Sequence, residues 1–257
     1  MILSRRVALG GVYLDEIHSG IVIQEADPGG NNENITATDR MGLWGMRVTG
    51  ARFGMLEARV TFAIDLSKHQ MPLRREIFDA VVAWARRKGW LTFSSLPDRR
   101  LYVDRVVIPE PGDMRDWLKD YTISFRAYNV PFWEAETPVM VKNPNITSGN
   151  VQIDVGGTAP GVLDIDFKNI SGKTISNFAV QAGSNKITIN GADIGASETL
   201  KISHGTDGLL RITSGSRNLY GKMTGADDLI VNPGTVNVSV TATRAGALTV
   251  TSRARWM

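Results

Sequence analysis

The clearest strand signal in the sequence is Leu56-Glu57-Ala58-Arg59-Val60-Thr61-Phe62-Ala63-Ile64. Apolar side chains occupy every second position of this run from Leu56 to Ile64. Successive side chains of a strand point to opposite faces of a sheet, so the pattern is typical of a strand buried on one face. Three later stretches are predicted to be strands of the same module: residues 90–93, 100–108 and 121–128.

One helix is predicted over residues 72–88, between the strand at 56–64 and the strand at 90–93. Pro72 fits the first helical turn, where its missing N–H needs no partner, and Gly89 fits the position just after a helix. Apolar residues recur at steps of three and four along one face: Ile77, Phe78, Val81, Trp84 and Ala85. The order of strand, helix and three strands predicts an α+β domain in which one helix packs on a mostly antiparallel sheet or split barrel.

Basic residues stand at both ends of this predicted helix. Arg86, Arg87 and Lys88 would fall in the last turn, where cations meet the negative end of the helix dipole, or on a solvated face. Arg74 and Arg75 fall at the positive end, which predicts solvent exposure or a partner carboxylate.

The sequence changes character near residue 138. A segment bracketed by Pro131 and Pro138 favours an extended crossing, and the chain beyond it is rich in Gly, Ser, Thr, Asn, Val and Ile. We therefore predict two domains, residues 1–138 and 139–257. Short alternating runs separated by glycine turns predict that the second is a β-sandwich, with strands at 151–155, 162–167, 178–182, 186–189, 199–202, 209–212, 236–240 and 247–251.

Composition excludes several classes of chemistry. The absence of cysteine excludes disulfide frameworks, thiolate zinc sites, iron–sulfur clusters and cysteine nucleophiles. His18, His69 and His204 lack the spacing of a metal pair, and no nucleophile elbow or phosphate-binding glycine loop is present. The sequence therefore predicts a protein that is not an enzyme and needs no cofactor or metal.

Charge and hydropathy argue against nucleic acid and membrane as partners. The net charge of +3 is modest, and the short run at residues 86–88 is a poor footprint for sequence-specific nucleic-acid binding. No run approaches the roughly 20 apolar residues of a membrane span, and Arg5 and Arg6 interrupt the apolar N-terminal stretch. We expect synthesis in the cytoplasm and no membrane span.

Two acidic pairs are the strongest candidates for a site, Asp164 with Asp166 and Asp227 with Asp228. Residues two apart on a strand share a face, so Asp164 and Asp166 would approach a cation or a sugar hydroxyl together. The apolar residues interleaved with them favour the other interpretation, a solvated face opposite a core face. A glycosidase needs two carboxylates at a fixed separation across a cleft, and the sequence does not define that separation for either pair. No catalytic residue is therefore assigned.

A polar loop before residue 45 leads into a cluster of large apolar residues. Such residues either pack in the core or form an apolar arm that docks on a neighbouring subunit, where Trp and Met are enriched. The candidate intersubunit contacts are Met41, Leu43, Trp44 and Met46.

The order of these features resembles the distal tail protein family of long-tailed bacteriophages (siphophages). The resemblance covers almost the whole chain and rests on the order and spacing of short motifs: Arg47-Val48-Thr49-Gly50-Ala51-Arg52-Phe53-Gly54, Val82-Ala83-Trp84-Ala85, Arg100-Leu101-Tyr102-Val103-Asp104-Arg105-Val106, Thr122-Ile123-Ser124-Phe125, Pro131-Phe132-Trp133, Leu229-Ile230-Val231-Asn232-Pro233-Gly234-Thr235-Val236-Asn237-Val238-Ser239-Val240 and Arg253-Ala254-Arg255-Trp256.

The resemblance implies a structural virion protein of the tail tip and baseplate, involved in host attachment. Its N-terminal domains would form a homohexameric ring that joins the tail tube to the tail hub, near the tape-measure protein, with DNA passing through the lumen. Its C-terminal domains, galectin-like β-sandwiches, would carry receptor-binding proteins or contact host glycans.

The alternative is a carbohydrate-binding, lectin-like adhesion protein in which the β-sandwich is the working part. Tyr220 and Trp256 are the only Tyr or Trp residues after residue 138, which leaves few aromatic platforms for sugar stacking.

Overall fold

The computed structural model describes residues 5–31, 33–39, 46–65, 71–110 and 120–257, with residues 33–39, 46–52 and 71–72 described by their backbone only. The chain divides into two compact units, Met1–Trp133 with Met257, and Glu134–Trp256. Strands make up 61% and helix 9% of the structure, so the predicted mainly-β class with one main helix is confirmed.

The elements of the first unit, in chain order, are β1 (Val7–Leu9), β2 (Val12–Tyr13), β3 (Ile21–Asp27), β4 (Glu33–Asp39), β5 (Met46–Phe53), β6 (Leu56–Ile64), α1 (Met71–Ala85), β7 (Gly89–Phe93), β8 (Arg99–Val103), β9 (Arg105–Val107), β10 (Asp120–Ala127) and β11 (Trp133–Ala135), which runs into the second unit. A 3-10 turn, Leu14–Glu16, follows β2. Strands β3, β6, β10 and β9 form one antiparallel sheet in that order, and β2, β1, β7 and β8 are successive neighbours in another.

The core of this unit forms where α1 packs on β6 and β10. The inward residues of β6 are fully buried, as the period-two pattern predicts. Trp84 meets Phe125 edge-to-face at 5.9 Å, and Phe78 lies 5.0 Å from Tyr121. Each such aromatic side chain contributes about 1.5–3 kcal/mol by leaving water. The Trp84 indole N–H also donates to the Val12 carbonyl at 2.8 Å, which satisfies its polar group.

The helix end and Arg74 differ from the expectations for α1, whereas Arg75 and the exposed residues 86–88 agree with them. The Arg86 N–H still bonds the Val82 carbonyl, but the Arg87 N–H bonds the nearer Trp84 carbonyl. The change from a four-residue to a three-residue hydrogen-bond step ends the helix, so the expectation that residues 86–88 form its last turn is wrong. Arg74 is buried and donates to the Ile64 carbonyl at 3.3 Å, whereas Arg75 pairs with Asp79 as a carboxylate partner.

The predicted strand at 100–108 is two strands, and that prediction is corrected. Asp104 lies between β8 and β9, which belong to different sheets. Its carboxylate accepts the backbone N–H groups of Tyr128 and Asn129 at 2.6 and 2.9 Å and the Asn129 amide at 2.8 Å. These bonds hold the chain where it passes from one sheet into the other, and the burial pattern changes phase there: Leu101 and Val103 are buried, whereas Arg105 and Val107 are exposed.

The second unit contains β12 (Val139–Val155), β13 (Gly161–Asn169), β14 (Ile175–Ala182), β15 (Asn185–Ile194), β16 (Thr199–His204), β17 (Leu210–Ser214), β18 (Arg217–Asn218), β19 (Met223–Gly225), β20 (Ile230–Val231), β21 (Gly234–Ser252) and β22 (Arg255–Trp256). A 3-10 turn, Tyr220–Lys222, follows β18. All but β22 join one ten-stranded sheet around a single apolar core.

The two predicted strands at 236–240 and 247–251 are the ends of the single strand β21. Its first part pairs with β14 and its second part with β13, so one strand serves two parts of the sheet. A side chain at Gly246 would meet the Phe167 ring, with a Cβ only 2.3 Å away. The missing side chain therefore lets Phe167 pack against Phe178, with ring centroids 4.8 Å apart.

Candidate functional site

Among the described residues, the four-stranded sheet of the first unit ends in two outer strands, β3 and β9, with different surfaces. Glu25 and Asp27 are exposed on β3, and Arg105 and Val107 are exposed on β9. On the β3 side, the Gln24 carbonyl at a bulge accepts a bond from Arg5. Outer strands present backbone N–H and C=O groups to a strand of another chain, so both are candidate assembly surfaces.

A basic groove of about 320 Å³ adjoins β9. We use this name for the groove lined by Arg86, Arg87, Lys88 and Arg105, together with Asp104 and apolar residues. Within the described part of the chain, none of these four cations forms an ion pair. The Asp104 carboxylate is already engaged by backbone and side-chain N–H groups. Guanidinium and ammonium groups arranged in this way bind carboxylates or phosphates.

In the second unit, His204 at the end of β16 lies between two carboxylates. Its Nδ1 is 2.9 Å from Asp164 Oδ1, and its Nε2 is 2.5 Å from Asp228 Oδ1. The side chain is only 4% exposed. Burial alone lowers the pKa of His204, but the hydrogen bonds and charges of Asp164 and Asp228 outweigh it and raise that pKa to about 9. The imidazolium therefore links β13, β16 and the segment before β20 at neutral pH.

A cleft of about 720 Å³ opens beside this cluster. The C-terminal cleft, as we name it, is lined among others by Leu209, Arg211, Asn218, Tyr220, Asp227 and Asp228. Its walls are the β16–β17 turn, β17, β18, the 3-10 turn at Tyr220 and the segment that carries Asp227 and Asp228. It combines exposed apolar groups with hydrogen-bond donors and acceptors.

The candidate residues predicted from the sequence lie partly outside the described residues and partly in the second unit. Met41, Leu43 and Trp44 lie outside the described residues, and Met46 begins β5 without a described side chain. Their role as an intersubunit arm stays a prediction. Asp166 is exposed, while its neighbour Asp164 bonds His204, so the two do not act as a pair.

The structure joins one residue of each acidic pair through a histidine that sequence reasoning set aside. Asp164 and Asp228 lie 40 and 24 residues from His204. No local spacing could reveal this cluster.

Neither a metal centre nor a membrane helix is found in the described ranges. No group of three or more His, Asp or Glu side chains there is arranged to hold a metal ion. The described helical segments are too short or too polar to cross a bilayer.

No family model and no curated protein matches the sequence. Among solved structures, the chain is similar to SPP1 Dit (gp 19.1), described as a paradigm of the hub adsorption apparatus in phages that infect Gram-positive bacteria. The identity is 14%, the TM-score is 0.69, and the match covers 98% of this chain and 99% of that chain. A chain of the phage P2 baseplate in its activated conformation with Ca is 9% identical, with a TM-score of 0.48 and 97% and 98% of the two chains covered. The resemblance inferred from sequence is thus confirmed at the level of the fold.

Proposed function

We propose that this chain is a structural, non-enzymatic protein of a bacteriophage tail, which forms a homohexameric ring at the distal end and links the tail tube to the hub and baseplate. The observation that carries the proposal is the fold shared with SPP1 Dit across nearly the whole of both chains. The partners proposed from the resemblance are the tail tube, the tail hub, the tape-measure protein and receptor-binding proteins, and the location is the virion.

Two different surfaces of the first unit support the proposal of a ring. A ring of identical copies closes through heterologous contacts, in which one surface of each copy meets a different surface of the next. The two outer strands of the four-stranded sheet differ in charge: Glu25 and Asp27 lie on β3, whereas Arg105 and the basic groove lie at β9. Opposite charges favour β3 of one copy beside β9 of the next and disfavour like strands meeting.

Charge reversal tests this arrangement. The intact chain is expected to run in native mass spectrometry at six times its mass of 28.1 kDa. Glu25→Lys and Arg105→Glu should each deplete the hexamer, because each reversal places like charges across the contact. The double variant should restore it, because the pair is exchanged. In the single variants, the binding free energy of each subunit contact should fall by about 1 kcal/mol. The same loss occurs at every contact of the ring.

The matched control is Lys168→Glu, a charge reversal at an exposed position of β13 in the second unit. It should leave the hexamer intact. A wild-type protein that stays monomeric at all concentrations would refute the ring. Turnover of a substrate that one carboxylate or histidine substitution abolishes would refute the non-enzymatic role.

A further inference from the structure

Strand β15 contains the single Asn-Gly pair of the sequence, Asn190-Gly191, within an irregular stretch of its pairing with β14. Between the pairs Asn177↔Asn190 and Ile175↔Ile194, three residues of β15 lie opposite one residue of β14. Gly191 has a φ of +63°, which glycine adopts without the steric cost that a Cβ brings. The pair therefore lies in a β-bulge, where the backbone departs from the regular ladder.

The backbone N–H of Gly191 is weakly held in this bulge. It donates to the Asn177 side-chain oxygen at 3.3 Å, which is longer than the roughly 2.9–3.0 Å of a typical N–H···O bond. Asn190 is exposed to solvent. Apart from the chain neighbours of Gly191, the nearest described atom to the position of a Cβ on this glycine is Lys222 Nζ, at 3.8 Å. The Gly191 nitrogen and the Asn190 carboxamide therefore adjoin each other in space that is open to water.

One cation and one anion lie beside the pair. Lys222, in the 3-10 turn after β18, donates from Nζ to the Gly191 carbonyl and lies 3.5 Å from the exposed Asp193 carboxylate. The ammonium favours negative charge on the Gly191 nitrogen, whereas the carboxylate disfavours it. The two charges offset each other in part, so loss of the Gly191 amide proton depends mainly on hydroxide from the solvent.

We infer that Asn190 is a site of spontaneous deamidation, with water as the co-reactant. Hydroxide removes the proton from the Gly191 nitrogen, which then attacks Asn190 Cγ and forms an N–Cγ bond. The Cγ–Nδ2 bond breaks, and the amide nitrogen takes a proton from water and leaves as ammonia, which regenerates the hydroxide. Water then opens the cyclic imide at either of its two carbonyl groups and leaves aspartate or isoaspartate in the chain. No oxidant or reductant takes part.

Deamidation changes β15 in two ways. It adds a negative charge at an exposed position beside the Lys222–Asp193 pair. Isoaspartate also lengthens the backbone by one methylene group directly after Ile189, which pairs with Phe178 of β14 and with Met223 of β19. The second unit is therefore expected to lose stability with time, and faster at alkaline pH. This inference does not depend on the proposed function.

Incubation of the full chain at pH 7 and at pH 9, followed by peptide mapping with mass spectrometry, tests the inference. The peptide that contains Asn190 should gain the mass difference between an amide and a carboxyl group. Its rate should rise in proportion to the hydroxide concentration. The same chain unfolded in urea gives the rate without the fold, and the folded chain should react within about tenfold of that rate, because an exposed and weakly bonded bulge opens locally at little cost.

The matched controls are Asn150 and Asn218, exposed asparagines of the same unit that precede Val151 and Leu219 instead of a glycine. Both should keep their amides over the same time. Asn190→Gln, whose longer side chain does not form the five-membered imide, should keep its melting temperature during an incubation that lowers that of the wild type. The inference is overturned if the folded chain keeps the amide of Asn190 while the unfolded chain loses it, or if Asn150 or Asn218 reacts as fast as Asn190.

Discussion

The two units differ in how their most prominent polar groups are partnered. In the second unit, the fully buried Asn169 amide donates to the Lys173, Ile194 and Gly195 carbonyls, and His204 lies between two carboxylates. In the first unit, the four cations of the basic groove have no ionic partner among the residues described. These groups of the second unit are therefore satisfied within a single copy, while the basic groove of the first leaves its charge open to solvent or to another molecule.

The largest expected effect lies at the buried ion pair of the second unit. Arg255 donates to Glu134 Oε1 through two guanidinium nitrogens, at 2.8 and 2.6 Å, and both side chains are about nine-tenths buried. Glu134→Ala leaves a buried guanidinium without its carboxylate, so the free energy of unfolding should fall by roughly 3–5 kcal/mol, measured by urea denaturation.

The exposed pair Arg75–Asp79 of the first unit is the control for this substitution. Both side chains are more than half exposed, so Arg75→Ala should cost less than about 1 kcal/mol. If Glu134→Ala lowered the free energy of unfolding as little as Arg75→Ala does, the second unit would not depend on its buried ion pair.

The next effect is the pH dependence supplied by His204. Folding raises the pKa of this histidine from 6.5 to about 9, so the folded state binds the proton more tightly than the unfolded chain. The resulting stabilisation, about 3 kcal/mol, is complete below pH 6.5 and is lost as the pH rises through about 9. Melting of the second unit should shift to lower temperature between pH 7 and pH 10, measured by circular dichroism.

His204→Gln separates this effect from general alkaline destabilisation. Glutamine does not titrate, so the variant should be less stable at neutral pH and should lose the steep dependence between pH 7 and pH 10. A wild-type protein as stable at pH 10 as at pH 6 would contradict the clamped imidazolium.

Local patterns predicted most of the strands, but not the polar contacts between distant segments. The strand at residues 56–64 could be predicted from its alternating apolar residues alone, and it is found with those bounds. Asp104 also fits an alternating pattern, yet its bonds to Tyr128 and Asn129, 24 and 25 residues away, divide the predicted strand in two. The His204 cluster was missed for the same reason, because its members come from three separate elements.

Substitutions in the basic groove are expected to affect stability least, and they sharpen the contrast between the units. The variant Arg86→Gln, Arg87→Gln, Lys88→Gln removes exposed like charges that form no ion pair within the described part of the chain, so its free energy of unfolding should stay within about 0.5 kcal/mol of wild type. Arg217→Gln, in the second unit, removes a guanidinium that donates to Glu198 at 2.7 Å and to the Asp193 carbonyl at 2.9 Å. It should cost up to about 1 kcal/mol. If urea denaturation showed a larger loss of stability for the triple variant than for Arg217→Gln, the basic groove would stabilise the fold of its own unit. The idea that these charges bind a neighbouring molecule would then be contradicted.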